Sequence, residues 1–177
     1  MEDPAGFHDY VAVNRDRLVR FGWLLCGSRT SAEDLVQEAL VRVWLRWERV
    51  GRGSVDAYVH KVMVSTHLTR RRRLWRREEP TDLLSGKPVP GERQAPDPMA
   101  LWDSRDALAA ALRRLPPRQR AVLVLRFFLD LSEADTAAAM SCTRGTVKSQ
   151  TYKALRTLRG YADELRDGDR LGVRHGD

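Results

Sequence analysis

Arg144, Lys148, Ser149, Tyr152, Lys153 and Arg156 recur at spacings that put them opposite the apolar face of a helix, and Thr146 and Gln150 lie on the same helix. Arginine and lysine can engage guanine O6 and N7, and the glutamine amide can pair with adenine. Ser149 and Thr146 suit phosphate contacts. A second cluster lies at residues 70–77, where Arg70, Arg71, Arg72, Arg73, Arg76 and Arg77 flank Leu74 and Trp75. Six arginines in eight residues can hold a phosphate backbone, or can simply solubilise a helix end. Trp75 beside them suits either base stacking or apolar anchoring of its helix.

The first cluster begins in a stretch, Leu131 to Gln150, that predicts two short helices and a tight turn, and continues along the second helix. Ser132 can cap the first helix, with Asp135 three residues on supporting the same free amides. Ala137, Ala138 and Ala139 are strong helix formers, small enough for another helix to cross closely. Ser141-Cys142 make the turn and Thr143 caps the second helix. There Val147, Thr151, Ala154, Leu155 and Leu158 share one apolar face. This is a helix-turn-helix pattern with its donors at the front end of a helix sized for a major groove. Amphipathic helices with a basic outer face also occur in proteins that never touch DNA, so the rest of the chain bears on the choice.

With 177 residues, 42% hydrophobic and 31% charged, the chain has room for one ordinary domain or two small ones with packed cores. A formal net charge of +7 points to a polyanionic partner: nucleic acid, an acidic membrane surface or an acidic protein. Cys26 and Cys142 are far apart and predict buried free thiols rather than a disulfide or metal site. His8, His60, His67 and His175 share no metal-ligand spacing, and neither a P-loop nor a Gly-x-Gly-x-x-Gly run is present. The carboxylates are scattered along helix faces. No enzyme, no cofactor and no metal are therefore expected. His67 suits a base contact at least as well as a catalytic role. The acidic start, Met1-Glu2-Asp3-Pro4, is no secretory signal, and no apolar run reaches the roughly 20 residues needed to span a bilayer. The expectation is a soluble, cytoplasmic protein without membrane insertion.

Along the chain, Phe7, Tyr10, Val11, Leu18, Phe21 and Leu25 give a first helix, broken at Gly27 to Thr30. Ser31 and Asp34 are expected to open the second, with Val36, Ala39, Leu40, Val43 and Trp47 as its apolar stripe. After a break at Gly51-Arg52-Gly53, a third helix runs from Asp56 to about Arg77, with Val55, Val59, Val62, Met63 and Thr66 inward. Residues 78–104 hold five of the eight prolines and carry a local charge of −4, too little apolar surface to fold alone. They read as an extended tether. Leu108, Leu112 and Leu115 then line a helix stopped by Pro116-Pro117, and Pro117 can open the next. Its stripe is Ala121, Val122, Leu125, Phe128 and Leu129. The fold class is all-α: a helical unit over 1–77, a linker over 78–103, a helix-turn-helix unit over 104–161 and a fraying polar tail over 162–177.

Three phrases in this order resemble a known family: Ala32-Glu33-Asp34-Leu35-Val36-Gln37-Glu38-Ala39, then Leu115-Pro116-Pro117-Arg118-Gln119-Arg120 running on to Arg126, then Gly145-Thr146-Val147-Lys148-Ser149. Together, around an acidic Pro-rich tether, they resemble a bacterial RNA polymerase sigma factor of the extracytoplasmic-function type, nearest its actinobacterial SigE-like subfamily. The likeness covers about residues 7–77 and 104–160. It implies that 1–77 is sigma region 2 and 104–161 is region 4. Asp34, Gln37, Glu38 and Arg42 match the face that docks on the β′ coiled coil of core RNA polymerase; without the resemblance they read as a solvated helix face. Ser65, Thr66 and His67 match positions that meet the unstacked −10 strand, with Arg70, Arg71, Arg72 and Arg73 holding its backbone. Arg144, Thr146, Lys148, Ser149, Gln150, Lys153 and Arg156 match the −35-reading set. Implied partners are core polymerase, through β′ and the β flap, promoter DNA and an anti-sigma factor.

Several positions depart from the family pattern. Ser65 stands where many members have asparagine, Thr136 replaces a usual isoleucine and Ser141 a usual turn glycine. The last two should weaken the helix-turn-helix by about a kcal/mol. A stand-alone helix-turn-helix regulator is the alternative, but it leaves the second-helix face and the arginine cluster without a role.

Overall fold

The structure is a computed structural model and describes residues 4–50, 55–77 and 103–172; among these there are helices and no strand. Seven α-helices follow in order: α1 (Phe7–Cys26), α2 (Arg29–Trp44), α3 (Val55–Arg77), α4 (Asp103–Arg113), α5 (Pro117–Leu123), α6 (Glu133–Met140) and α7 (Arg144–Gly172). A 3-10 turn over Trp47–Arg49 follows α2, and a π-helical turn over Val124–Phe128 continues α5. The break at residues 51–54 and most of the acidic tether lie outside the described residues.

α1 and α2 form a hairpin whose turn is two residues long. Gly27 takes φ +79° and its N–H donates to the Trp23 carbonyl at 2.7 Å. Only glycine adopts that left-handed geometry without strain. Ser28 then caps α2, its hydroxyl accepting from the Ser31 N–H. The expected Ser31 cap is thus one turn late: the first turn of α2 forms ahead of it because Ser28 already supplies the acceptor. The α1–α2 crossing is close at Gly22, where a Cβ would stand 3.2 Å from the Ala32 carbonyl oxygen. α3 closes the first unit, burying Val59, Met63 and Val64 with Leu18, Phe21, Leu25, Leu35, Ala39 and Val43. Trp47, placed in α2 by periodicity, sits in the 3-10 turn instead, donating to the Ala5 carbonyl at 3.0 Å and meeting Phe7 edge-on at 5.1 Å.

In the second unit Pro117 occupies the first turn of α5, where its missing N–H costs nothing. The π-helical turn that follows adds a residue to the register and rotates the end of the helix. Val122 to Leu125 are buried, whereas Phe127 and Phe128 are 64% and 47% exposed. Phe128 therefore leaves the core stripe that a regular 3.6-residue period gave it. Leu108, also expected inside, is exposed, while Leu112 and Leu115 are buried. α7 runs past Tyr161 to Gly172, so the tail does not begin where polarity alone suggested; Ala162, Glu164, Leu165 and Arg166 are good helix formers.

The two units are not held by a tether alone. Leu112, Leu115, Ala121 to Leu125, Ala139 and Met140 join one continuous apolar cluster with the core of α1–α3. α6 lies along α3, and α4 and α5 meet α1. At the junction Arg120 is buried, and its guanidinium donates to the carbonyls of Leu25 at 3.0 Å, Arg113 at 2.9 Å and Leu115 at 3.3 Å. The first acceptor belongs to the other unit. Hydrophobic patterning within each helix carries no information about this second layer of packing.

Candidate nucleic-acid interface

α6 and α7 form the helix-turn-helix, and its caps follow the sequence closely. Ser132 Oγ accepts from the Asp135 N–H at 3.0 Å and donates to the Asp135 carboxylate at 2.6 Å. Thr143 Oγ1 accepts from the Thr146 N–H at 3.1 Å and so opens α7. Ser141 makes the turn at φ +49°, strained for a residue with a Cβ. Val147 and Ala154 fix α7 against the unit, fully buried. The other side is uncovered: Arg144, Lys148, Ser149, Lys153 and Arg156 are exposed, and Thr146 and Gln150 half-buried. Lys148 reaches back to the Glu133 carboxylate at 3.7 Å, and Ser149 donates to the Thr146 carbonyl at 3.0 Å. Every residue expected at −35 thus lies in the first half of α7, with five of the seven exposed.

α3 divides its expected contacts. Ser65, Arg72 and Arg73 are exposed and Arg71 half-buried. Thr66 is fully buried and His67 nearly so, with neither Thr66 Oγ1 nor His67 Nε2 finding a partner among the described residues. Neither side chain can meet a DNA strand in this arrangement, which corrects the expectation for both. Thr66 lies one helical turn before Arg70, on the side of α3 that faces α2. His67 packs against the junction, its Nδ1 3.6 Å from Cys26 Sγ. Burial, reinforced by the cations of Arg120, Arg71 and Arg70, pushes its imidazole down to about 4. Burial likewise lifts the Cys26 thiol to about 11. Both cysteines are free and half-buried. Among the described residues no histidine, cysteine and carboxylate group could hold a metal.

The α2 face is open. Asp34, Gln37 and Arg42 are exposed and Glu38 is half-buried. Val41 and Leu45, 61% and 67% exposed, lie on the same side at helical spacing. Glu38 is doubly paired, one carboxylate oxygen 2.6 Å from Arg42 Nη2 and the other 2.6 Å from Arg70 Nε. The docking face and the basic end of α3 therefore share a carboxylate. Sequence reasoning missed this link and the buried Arg120 alike. Arginine runs read as surface, and a lone arginine beside Pro-Pro gives no sign that it turns inward. Val41 and Leu45 interrupt the polar run of that face in the sequence itself.

The chain matches the family described as Sigma-70 region 2 over residues 10–77 and Sigma-70, region 4 over residues 105–158. It is 36% identical to the RNA polymerase sigma-E factor of Streptomyces coelicolor, covering 90% of this chain and 87% of that protein. It is 32% identical to the ECF RNA polymerase sigma factor SigL of Mycobacterium tuberculosis, over 90% of this chain and 88% of the relative. Among solved structures, the sigma factor RpoE in complex with the anti-sigma factor NepR from Bartonella quintana superposes with a TM-score of 0.65 at 24% identity, covering 90% of this chain and 98% of that one. CnrH in complex with the cytosolic domain of CnrY gives 0.58 at 18% identity, over 89% and 88% of the two chains. These two likenesses concern the fold. No helix among the described residues is long and apolar enough to cross a membrane.

Proposed function

The chain belongs to the RNA polymerase sigma factors of the extracytoplasmic-function type, and on that premise we propose how its surfaces divide the work of promoter selection. The family consists of non-catalytic transcription initiation factors, and this chain is a specificity subunit with no reaction of its own. The α2 face around Gln37, Glu38 and Val41 docks on the β′ coiled coil of core polymerase. The second unit takes the β flap. The front of α7 reads duplex at −35 through Arg144, Lys148, Gln150, Lys153 and Arg156, with Thr146 and Ser149 on phosphates. α3 captures the unstacked −10 strand, with Ser65 nearest the bases and Arg70 to Arg73 on the backbone.

Two weak sites bridged by one chain on one enzyme give selectivity that neither has alone, because engagement of the first raises the local concentration of the second. Strand opening follows from differential affinity: a unit that binds unstacked strand better than duplex shifts the equilibrium toward the melted state. An anti-sigma protein covering the α2 face is the expected regulator, as NepR and CnrY accompany the structural neighbours. The protein works in the cytoplasm, beside polymerase and chromosome.

The observation that supports this reading best is the uncovered basic side of α7, where Arg144, Lys148, Ser149, Lys153 and Arg156 are exposed on a capped helix-turn-helix. The experiment is run-off transcription with core polymerase on promoters selected from genomic fragments. Chain-dependent transcripts with permanganate-reactive thymines near −10 are expected. Duplex binding by the chain alone, with no polymerase-dependent transcript, would instead identify a stand-alone regulator.

A further inference from the structure

Tyr152 stands 67% exposed on the open side of α7, in the midst of the residues assigned to −35 yet not among them. The chain's three other tyrosines have work inside the fold. Tyr10 donates to the Asp56 carboxylate at 2.7 Å, Tyr58 packs half-buried on the apolar core, and the Tyr161 ring lies 4.0 Å from the Arg114 guanidinium. Tyr152 has no hydrogen bond, ring contact or cation–π partner among the described residues. Lys148, one turn back on the same face, turns toward Glu133 of α6 at 3.7 Å and leaves the ring bare. An aromatic ring contributes chiefly through the area it buries, and this one buries little in its own fold.

Its place along the helix gives that ring a direction. Gly145, Lys148, Ser149 and Tyr152 are spaced i, i+3, i+4 and i+7, which is one face of a helix. Val147 and Ala154, which hold α7 on its unit, lie on the other side, fully buried. At Gly145 an added Cβ would meet only Thr143 Oγ1, at 3.8 Å, and the backbone φ there is not positive. Neither packing nor backbone geometry calls for a glycine, and helices disfavour one. A bare main chain at the start of this face suits close approach by a partner outside the chain. That approach brings the Tyr152 ring, two turns on, against the same partner.

Base edges in the major groove present donors and acceptors and a single kind of apolar group, the C5-methyl of thymine. The cations and the amide of α7 answer the polar edges. The ring body of Tyr152 answers the methyl, and its hydroxyl, at the far end, stays in water.

We infer that Tyr152 is a specificity-determining residue that packs its ring on a thymine C5-methyl of the −35 duplex, so that the promoters this chain selects carry a thymine at one fixed position of that element. The inference rests on the −35 reading of α7 and deepens it: to a set of side chains that read by hydrogen bonds it adds one that reads a methyl group.

Deoxyuridine pairs as thymidine does and lacks only that methyl, so it isolates the contact. Each thymine of the −35 element in a promoter selected by holoenzyme is replaced by deoxyuridine, one at a time and on either strand. Binding by holoenzyme carrying the unaltered chain, Tyr152→Phe or Tyr152→Ala is then titrated at fixed salt, after circular dichroism has checked that each variant is folded. One replacement is expected to weaken the unaltered chain about fourfold, the equivalent of burying one methyl group. Tyr152→Phe should keep that sensitivity and Tyr152→Ala should lose it. No replacement that separates the unaltered chain from Tyr152→Ala overturns the inference. Loss of the sensitivity in Tyr152→Phe also overturns it, by assigning the contact to the hydroxyl. Both results leave the −35 reading intact. Equal binding of matched and scrambled −35 sequences by the unaltered holoenzyme removes that reading, and the inference with it.

Discussion

Thr136 carries a hydroxyl into the fully buried side of α6, and that oxygen has no hydrogen-bond partner among the described residues. A buried, unanswered hydroxyl costs more than the same volume of hydrocarbon. Thr136→Val, which keeps the shape, should therefore stabilise the fold by about 1 kcal/mol and raise the midpoint of thermal unfolding by a few degrees, read by circular dichroism. On the opposite side of the motif Lys148 is exposed and only loosely paired with Glu133. Lys148→Ala should weaken holoenzyme binding by about 1–3 kcal/mol on a matched −35 element and by less on a scrambled one, measured by titration at fixed salt. Equal losses on both sequences would assign Lys148 to a phosphate. Lys148 and the helix caps are legible in the sequence because caps and exposed donors obey local rules. Arg120 is not, since its three carbonyl acceptors come from α1, the end of α4 and the loop before α5.

At the scale of the helix, α3 is packed on more than one side, and this sets a pH dependence. His60 meets Phe21 edge-on at 4.8 Å, and burial pushes its imidazole down to about 4, as it does for His67. Above the ordinary histidine value of 6.5 both rings are neutral folded or unfolded, so they impose no penalty. As pH falls from 6.5 toward 4 the unfolded chain takes up protons that the folded chain refuses, and stability declines by up to about 3 kcal/mol per ring. Urea midpoints measured between pH 7 and 4.5 should fall accordingly, and His67→Gln should flatten that slope. A separate expectation concerns α2. Gln37→Ala combined with Val41→Glu should cost at least tenfold in affinity for core polymerase while leaving stability within about 0.5 kcal/mol, because both side chains face solvent. Helix order and most inward positions follow from the 3.6-residue period. Phe128 does not, because the π-helical turn at Val124–Phe128 shifts the register and nothing in the residue types announces it. Ser28 was overlooked for a similar reason: two serines three residues apart can each cap, and the choice depends on where α1 ends.

For the whole molecule, composition and charge describe a basic, two-part helical chain, and the order of its motifs carries the family. The packing of one part on the other was illegible. It depends on Gly27 being small beside Arg113, on one inward arginine and on an apolar edge of α6, none of which is periodic. It also accounts for the burial of His67, one of the residues expected at the −10 strand, whereas Thr66 is buried against α2 within the first unit. On the proposed function, one copy of this chain, seated on core polymerase, grips a promoter at two separate places. Hydroxyl-radical footprinting of the assembled holoenzyme on a selected promoter tests it directly. Two chain-dependent protected patches are expected, centred about 25 base pairs apart near −35 and −10, with the upstream one lost in the Arg144→Ala, Lys148→Ala double variant. A single patch, or the same pattern from the chain without polymerase, would contradict it.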